Sequence, residues 1–204
     1  MVPFNDPAVL KKVRQNFHLG FLKDVVLPRA LDDTTFAALN QLQFFNNVQI
    51  ISALTNDEAF LEGLHAKLTA APVEPDELML ALRLLQELCS VTKTLQLYHR
   101  ASFYRKVVEH GYFSALAICL GRPEPALRLA AIDVLLASTL HDPSLLRNHL
   151  LQQRPVSAMM QALLHVFTSD DSSGEKPQIM EVLRALLDPE GMEGREQVKM
   201  RTFG

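Results

Sequence analysis

The segment that begins at Leu78 carries Leu80, Leu82, Leu84, Leu85, Leu88 and Val91. A helix on the surface of a globule shows one apolar stripe, at positions i, i+3, i+4 and i+7. Here apolar residues cover most of the circumference and leave a narrow polar strip at Arg83, Glu87, Ser90 and Thr94. Such a helix stays dry only if neighbours cover it on two or three sides. The stretch from Ala126 to Leu136 behaves alike, with Ala130 and Ala131 small enough to let adjacent helices close in. Residues 7–27 differ: Lys11, Lys12, Arg14 and Gln15 alternate with Val9, Leu10, Val13 and Phe17, so one face is wet. Buried helices alternating with half-exposed ones are what stacked helical repeats require, since each pair must lean on the next. The expected fold class is all-α, an armadillo/HEAT-like helical-repeat solenoid of about ten helices, with a compact bundle as the alternative.

Helices are expected near 7–27, 32–45, 47–54, 57–70, 75–95, 99–110, 112–120, 124–140, 143–152, 156–168 and 177–187, the second and third being one broken helix or two. Asp6-Pro7, Asp142-Pro143 and Asp188-Pro189 share one logic: the carboxylate caps free N–H groups, and proline at the first helical position needs no partner. Gly111 and Gly121 stand where helices should stop. Residues 71–75 read as a rigid break and residues 169–176 as a surface loop. The repeat pattern is clearest from residue 112 through Pro143; no strict period recurs elsewhere.

The 204 residues are 48% apolar and 21% charged, a globular composition. Twenty Lys and Arg against 23 Asp and Glu give a net charge of −3, which argues against a general nucleic-acid binder. No apolar run approaches the ~20 residues of a membrane span. The N-terminus shows no secretory signal, and Cys89 and Cys119 sit in apolar surroundings, so two buried thiols in an intracellular, soluble chain are expected, with one disulfide as the alternative.

Catalytic motifs are absent: no glycine-rich phosphate loop, no His-Glu-x-x-His, no Gly-x-Ser-x-Gly and no Cys-x-x-Cys. No two of the seven histidines fall three or four apart, so no metal pair is ready-made. The reading is therefore no enzyme, no cofactor, no metal and no catalytic residue. Two segments carry more polar and aromatic content than packing needs. Residues 42–51 hold Phe44-Phe45-Asn46-Asn47, read either as core aromatics and a turn or as a groove whose Asn side chains hold a partner's backbone. Residues 94–106 hold Gln96, Tyr98, Arg100, Tyr104, Arg105 and Lys106, read either as a solvated face or as a basic–aromatic patch for an acidic segment. Arg128 and Asp133 lie about 140° apart on a helix and so each is expected to reach a neighbouring repeat.

Five stretches in one register then resemble a known family. They are residues 21–28, residues 44–54, Thr94-Leu95-Gln96 with Arg100 and Phe103, residues 128–133, and residues 183–192. Together they resemble the central helical domain of the protein phosphatase 4 regulatory subunit 3, or SMEK/falafel, family. The resemblance implies a non-catalytic, armadillo-like regulatory and scaffold domain over 1–192, with 193–204 as a poorly ordered tail. It implies the phosphatase 4 catalytic subunit and a second regulatory subunit as partners, protein or peptide targets, and a nuclear and cytoplasmic location. Neither the N-terminal PH-like domain nor the low-complexity tail of that family is present in the sequence, so the chain reads as an excised middle domain. Chemistry and family match make Asn46, Asn47, Gln96, Arg100, Arg128 and Arg184 the candidate protein-binding residues. No membrane or nucleic-acid partner is expected, and leucines at an uncapped end suggest self-association. A helical-repeat cargo or transport adaptor unrelated to phosphatase is the rival reading.

Overall fold

Short polar residues open several of the helices. Asp6 accepts a hydrogen bond from the Ala8 N–H at 2.7 Å, with Pro7 beginning the helix. Asp32 accepts from Thr35 at 2.6 Å, and this bond holds its carboxyl below the ordinary 3.8. Asp57 accepts from Phe60 at 3.0 Å, and Asp142 accepts from Ser144 at 2.9 Å just before Pro143. These caps satisfy N–H groups that have no partner inside a helix.

The computed structural model describes residues 6–26, 32–71, 74–153, 157–169, 174–188 and 192. Among them are ten α-helices and no strand. They are α1 (Pro7–Phe21), which runs on as a π-helical stretch over Leu22–Val26, α2 (Asp33–Asn56), α3 (Glu58–Thr69), α4 (Pro75–Lys93) and α5 (Leu97–Glu109). Then come α6 (Tyr112–Leu120), α7 (Pro125–His141), α8 (Pro143–Gln152), α9 (Ala158–Thr168) and α10 (Lys176–Leu187). The expected all-α helical-repeat class is what the structure has. The expected tail, 193–204, and the expected Asp188-Pro189 helix start lie outside the described residues; Asp188 itself ends α10, its N–H donating to the Arg184 carbonyl at 2.9 Å.

The chain divides into two compact units, Met1–Leu64 with Ser90–Lys106, and His65–Cys89 with Val107–Gly204. In the first, α1 packs on α2 and the core gathers Val9, Ile51, Leu54, Phe60, Leu64, Phe103 and Tyr104. The break expected near Asn46 does not occur. Asn46 is buried, and its side-chain amide donates to Asn16 at 3.0 Å and Gln15 at 3.2 Å of α1. Asn16 in turn donates to Asn47 at 2.6 Å. With these partners the two asparagines have no need to bond their own backbone, which is how Asn otherwise ends a helix. Lys106 reaches Glu58 at 2.7 Å, 48 residues away.

In the second unit α6 packs on α7 and α9, and α7 packs on α8 and α10. Helices three apart thus touch, as in a three-helix repeat. Polar side chains mark the same period. Gln86 of α4 donates to Asp133 of α7 at 2.8 Å, and Arg128 of α7 donates to Glu175 at 2.9 Å; each pair is 47 residues apart. That separation is the length of one HEAT- or armadillo-type repeat, about 40–47 residues. Both expected links from α7 to its neighbours are therefore present, one running in each direction along the chain.

The leucine-dense segments are mostly dry. Leu127, Ala131, Ile132, Val134 and Leu135 of α7 and Leu78, Leu82 and Leu85 of α4 are buried. Leu80 is a correction: it is 61% exposed, so the apolar cover of α4 is narrower than its composition suggests. Phe17 of α1, expected on the dry side, is 72% exposed. Gly111, at φ +72°, makes the left-handed turn before α6 that a side chain would strain. Across Asp142, α7 and α8 meet at a bend of 113°, and among the described residues no single helix is long and apolar enough to cross a membrane.

Arg147 of α8 has no exposed surface, and backbone carbonyls hold part of its guanidinium there. Its Nε donates to the Leu186 carbonyl at 3.0 Å and an Nη to the Ala185 carbonyl at 2.7 Å, capping the negative end of α10. Replacing Arg147 with Met should strip both carbonyls of their partner and cost roughly 3 kcal/mol. Urea unfolding would show the loss as a lower midpoint with an unchanged slope.

Cys89 and Cys119 are both buried thiols outside any disulfide, and burial pushes the Cys119 thiol up to about 11. A thiol-reactive dye should therefore leave both unlabelled in the native chain at pH 8 and label both once it is unfolded. His149 stacks edge-on against Phe113, with ring centroids 5.4 Å apart, and lies 3.0 Å from the Gln153 amide nitrogen. Ser157 donates to the other end of that amide at 2.8 Å, which turns the nitrogen toward the imidazole. The ring must accept there, so the neutral form fits, and burial lowers the His149 pKa from its ordinary 6.5. The unfolded chain then takes up the proton first. Stability should be full above about pH 6.5 and fall as pH drops toward the lower folded value, a slope that His149→Phe should flatten.

Candidate protein-interaction surface

The same helix that forms the driest part of the second unit also shapes one wall of a groove. Buried residues occupy most of α7, but Leu129, Asp133, Leu136 and Leu140 fall at i, i+4, i+7 and i+11 and form a second, partly open stripe. Opposite its C-terminal end stands α10, fixed through the Arg147 cap. Between them lies a cavity of about 430 Å³ lined by Leu136, Thr139, Leu140, Glu181, Arg184, Ala185 and Asp188. Leu140 is 70% exposed and the nearby Leu187 is 60% exposed. Arg184 bridges to Glu181 at 2.9 Å on the rim, one helical turn away, with both side chains largely in water. Such a surface pair adds little stability and stays available for exchange with another charge. An apolar floor with an ionic rim suits a protein segment that inserts one or two apolar side chains while charged groups set its register.

Of the candidate residues, Arg184 alone lines this groove. Arg128 is engaged within the fold: besides Glu175, it donates to the carbonyls of Arg122 at 3.1 Å and Pro123 at 2.7 Å. Its partner Glu175 is buried, so this is an internal pair. Asn46 and Asn47 stand side by side in the α1–α2 contact described above. Arg100 donates to the carbonyls of Lys93 at 3.1 Å and Leu95 at 3.0 Å and so caps the end of α4. Gln96 is exposed, and its carbonyl accepts from the Arg100 N–H at 3.1 Å. The structure thus pairs Asn46 with Asn47 and Gln96 with Arg100, while Arg128 and Arg184 share no partner.

Of the side chains in the alternative basic–aromatic reading of 94–106, Arg100 serves the backbone, Lys106 serves Glu58 and Tyr104 is buried, while Tyr98 and Arg105 are exposed. Phe44 is half-buried and Phe45 is 52% exposed, so the two are not both core residues. Leu136, Leu140 and Glu181 were not singled out by the sequence. The only trace of the leucines there is a second apolar stripe on a helix already apolar elsewhere, which periodicity reads as more core. Among the described residues no group of three or more His, Cys, Asp or Glu side chains is placed to hold a metal.

Comparison with known proteins bears on this surface. A family model described as phosphatase 4 regulatory subunit 3 matches residues 1–202. A Dictyostelium discoideum protein named Suppressor of Mek1 is 33% identical over 197 residues, 96% of this chain and 19% of the relative. A Drosophila melanogaster protein named serine/threonine-protein phosphatase 4 regulatory subunit 3 is 27% identical over 200 residues, 94% of this chain and 20% of the relative. An uncharacterized Schizosaccharomyces pombe protein is 26% identical over 203 residues, 94% of this chain and 24% of that relative. The chain therefore spans about a fifth to a quarter of the length of these relatives. No solved structure matches it.

Proposed function

Because the chain belongs to the phosphatase 4 regulatory subunit 3 family, we propose that it acts as a non-catalytic scaffold module of a phosphatase 4 holoenzyme, binding protein segments through the α7–α10 groove. The observation that carries this reading is the family match along residues 1–202, which takes in every helix. The Drosophila relative bears the name of a phosphatase 4 regulatory subunit, which supports the catalytic subunit of that enzyme as the first partner. A second regulatory subunit, self-association through an exposed end, and action in nucleus and cytoplasm belong to the same proposal. The division into a single domain over 1–192 does too.

The mechanism is one of held geometry. The groove walls are two helices whose inner faces are packed and whose outer faces carry Leu140, Leu187 and the Arg184–Glu181 pair. A partner meets a surface that needs little ordering, and less of the contact free energy is lost to entropy. Arg184 would leave Glu181 for a carboxylate of the partner, while the partner's apolar side chain covers Leu136 and Leu140. The rival reading, a cargo or transport adaptor, has no observation in its favour.

Capture of the purified phosphatase 4 catalytic subunit by the tagged chain, with and without a second regulatory subunit, tests the assignment. The parent chain should retain the catalytic subunit. Leu140→Glu and Arg184→Glu should each weaken retention about tenfold, the size of a hot-spot loss, while thermal melting stays within a degree or two, since both positions are exposed. Retention of transport factors with no phosphatase subunit would overturn the reading.

A further inference from the structure

The two walls of the α7–α10 groove differ in chemistry, and the difference constrains what can lie between them. The α7 wall is apolar. Leu136 and Leu140 stand one turn apart, and the hydroxyl of Thr139 donates back to the Leu136 carbonyl at 3.0 Å. The α10 wall is charged. Glu181, Arg184 and Asp188 fall at i, i+3 and i+7 and form one row whose signs run minus, plus, minus. All three are exposed, and Arg184 bridges to Glu181 at 2.9 Å. The backbone beneath the row is pinned: Arg147 grips the Leu186 and Ala185 carbonyls, and the Asp188 N–H donates to the Arg184 carbonyl at 2.9 Å. At about 1.5 Å per residue the row is about 10 Å long, in steps of about 4.5 and about 6 Å.

We propose that the groove takes an amphipathic helix of a partner protein whose charged edge reads basic, acidic, basic. The proposal rests on the reading of this groove as the binding surface and names its occupant. Two basic side chains of the helix meet Glu181 and Asp188, its carboxylate meets Arg184, and two of its apolar side chains, one turn apart, meet Leu136 and Leu140. The exposed Arg184–Glu181 pair contributes little to the free chain, so exchanging it for pairs with the helix costs little. Spacing selects a helix. Residues at i, i+3 and i+7, or at i, i+4 and i+7 in the opposite direction, repeat the rise of the row. Same-face residues of a strand fall about 6.6 Å apart and reach about 13 Å by the third. Sign order decides against other occupants. An anionic membrane or a nucleic-acid backbone meets two like charges in the row. The row has the same signs in both directions, so two copies set row against row oppose like charges at all three places. Nor does the sequence hold the matching edge: no two Lys or Arg residues seven apart have an acidic residue three or four places after the first.

The test is fluorescence anisotropy of labelled helical peptides titrated with this chain. The matching peptide carries Lys at i and i+7, two leucines one turn apart on the adjoining face, and Glu at i+3 or at i+4, one version for each direction of docking. The comparisons are a peptide with the signs exchanged, one with the same three charges in the order Lys-Lys-Glu, one with prolines that prevent the helix, and anionic vesicles. One matching version should bind at least about tenfold more tightly than each of the three other peptides, a margin set by opposed like charges and by the cost of a broken helix. The triple variant Glu181→Lys/Arg184→Glu/Asp188→Lys should reverse the preference and favour the sign-exchanged peptide. Circular dichroism checks that the variant folds, and the peptide series on the parent chain keeps the test decisive if it does not. Equal binding of the matching and reordered peptides, equal binding of the proline peptide, binding of vesicles without peptide, or an unchanged preference in the folded triple variant would overturn the proposal. No phosphatase subunit enters this assay. Its failure therefore leaves capture of the catalytic subunit standing, and a failed capture leaves the peptide preference standing.

Discussion

The second unit depends on the burial of α7. Ala131, Ile132, Val134 and Leu135 lie on different sides of that helix and none reaches solvent. Each fully buried aliphatic side chain contributes about 1.5–3 kcal/mol, and only neighbours on several sides can collect that sum. The alanines matter as much as the large residues, because Ala130 and Ala131 permit the close approach that keeps water out. The polar residues of α7 then lie where the covering helices pass. Asp133 receives the Gln86 amide from one direction, and Arg128 engages Glu175 in the other. Hydrophobic demand calls for neighbours, and two polar links set 47 residues apart fix their register.

Much of this was legible before any coordinates. Helices α6 and α8 have the bounds expected of them, because Gly111 and Asp142-Pro143 are local signals that no distant contact overrides. The all-α class followed from leucine spacing alone. The repeat period was not legible, since it is carried by single polar pairs between helices and not by similar sequences. The unbroken α2 was missed for a related reason. Asn46-Asn47 is a turn signal only while those amides lack partners, and the partners, Gln15 and Asn16, lie 30 or 31 residues away.

The candidate surface was less legible than the fold. Polar residues in an apolar chain attract notice as binding groups, yet several of them serve the fold itself. Arg100 and Arg128 bond backbone carbonyls in the turns after α4 and before α7, and so hold those turns in place. Leu140 and Leu187 look in sequence like any other leucine, but they stand at the ends of α7 and α10, beyond the reach of the covering helices. Position along a helix, not residue type, decided which leucines became surface.

One arrangement recurs in both units and ties architecture to recognition. An exposed helical face is held by a polar contact on the covered side of the same helix. Arg147 grips the end of α10 from below, which holds Arg184 and Leu187 outward. Asn46 and Asn47 grip α1 through Gln15 and Asn16, which holds Lys11, Arg14 and Phe17 outward. Apolar packing alone is non-directional and would let a helix slide or rotate at modest cost. Hydrogen bonds to particular atoms do not permit that, because a shifted helix would leave buried polar groups unmatched. A helical-repeat scaffold thus gains directional surfaces from residues that never touch a partner.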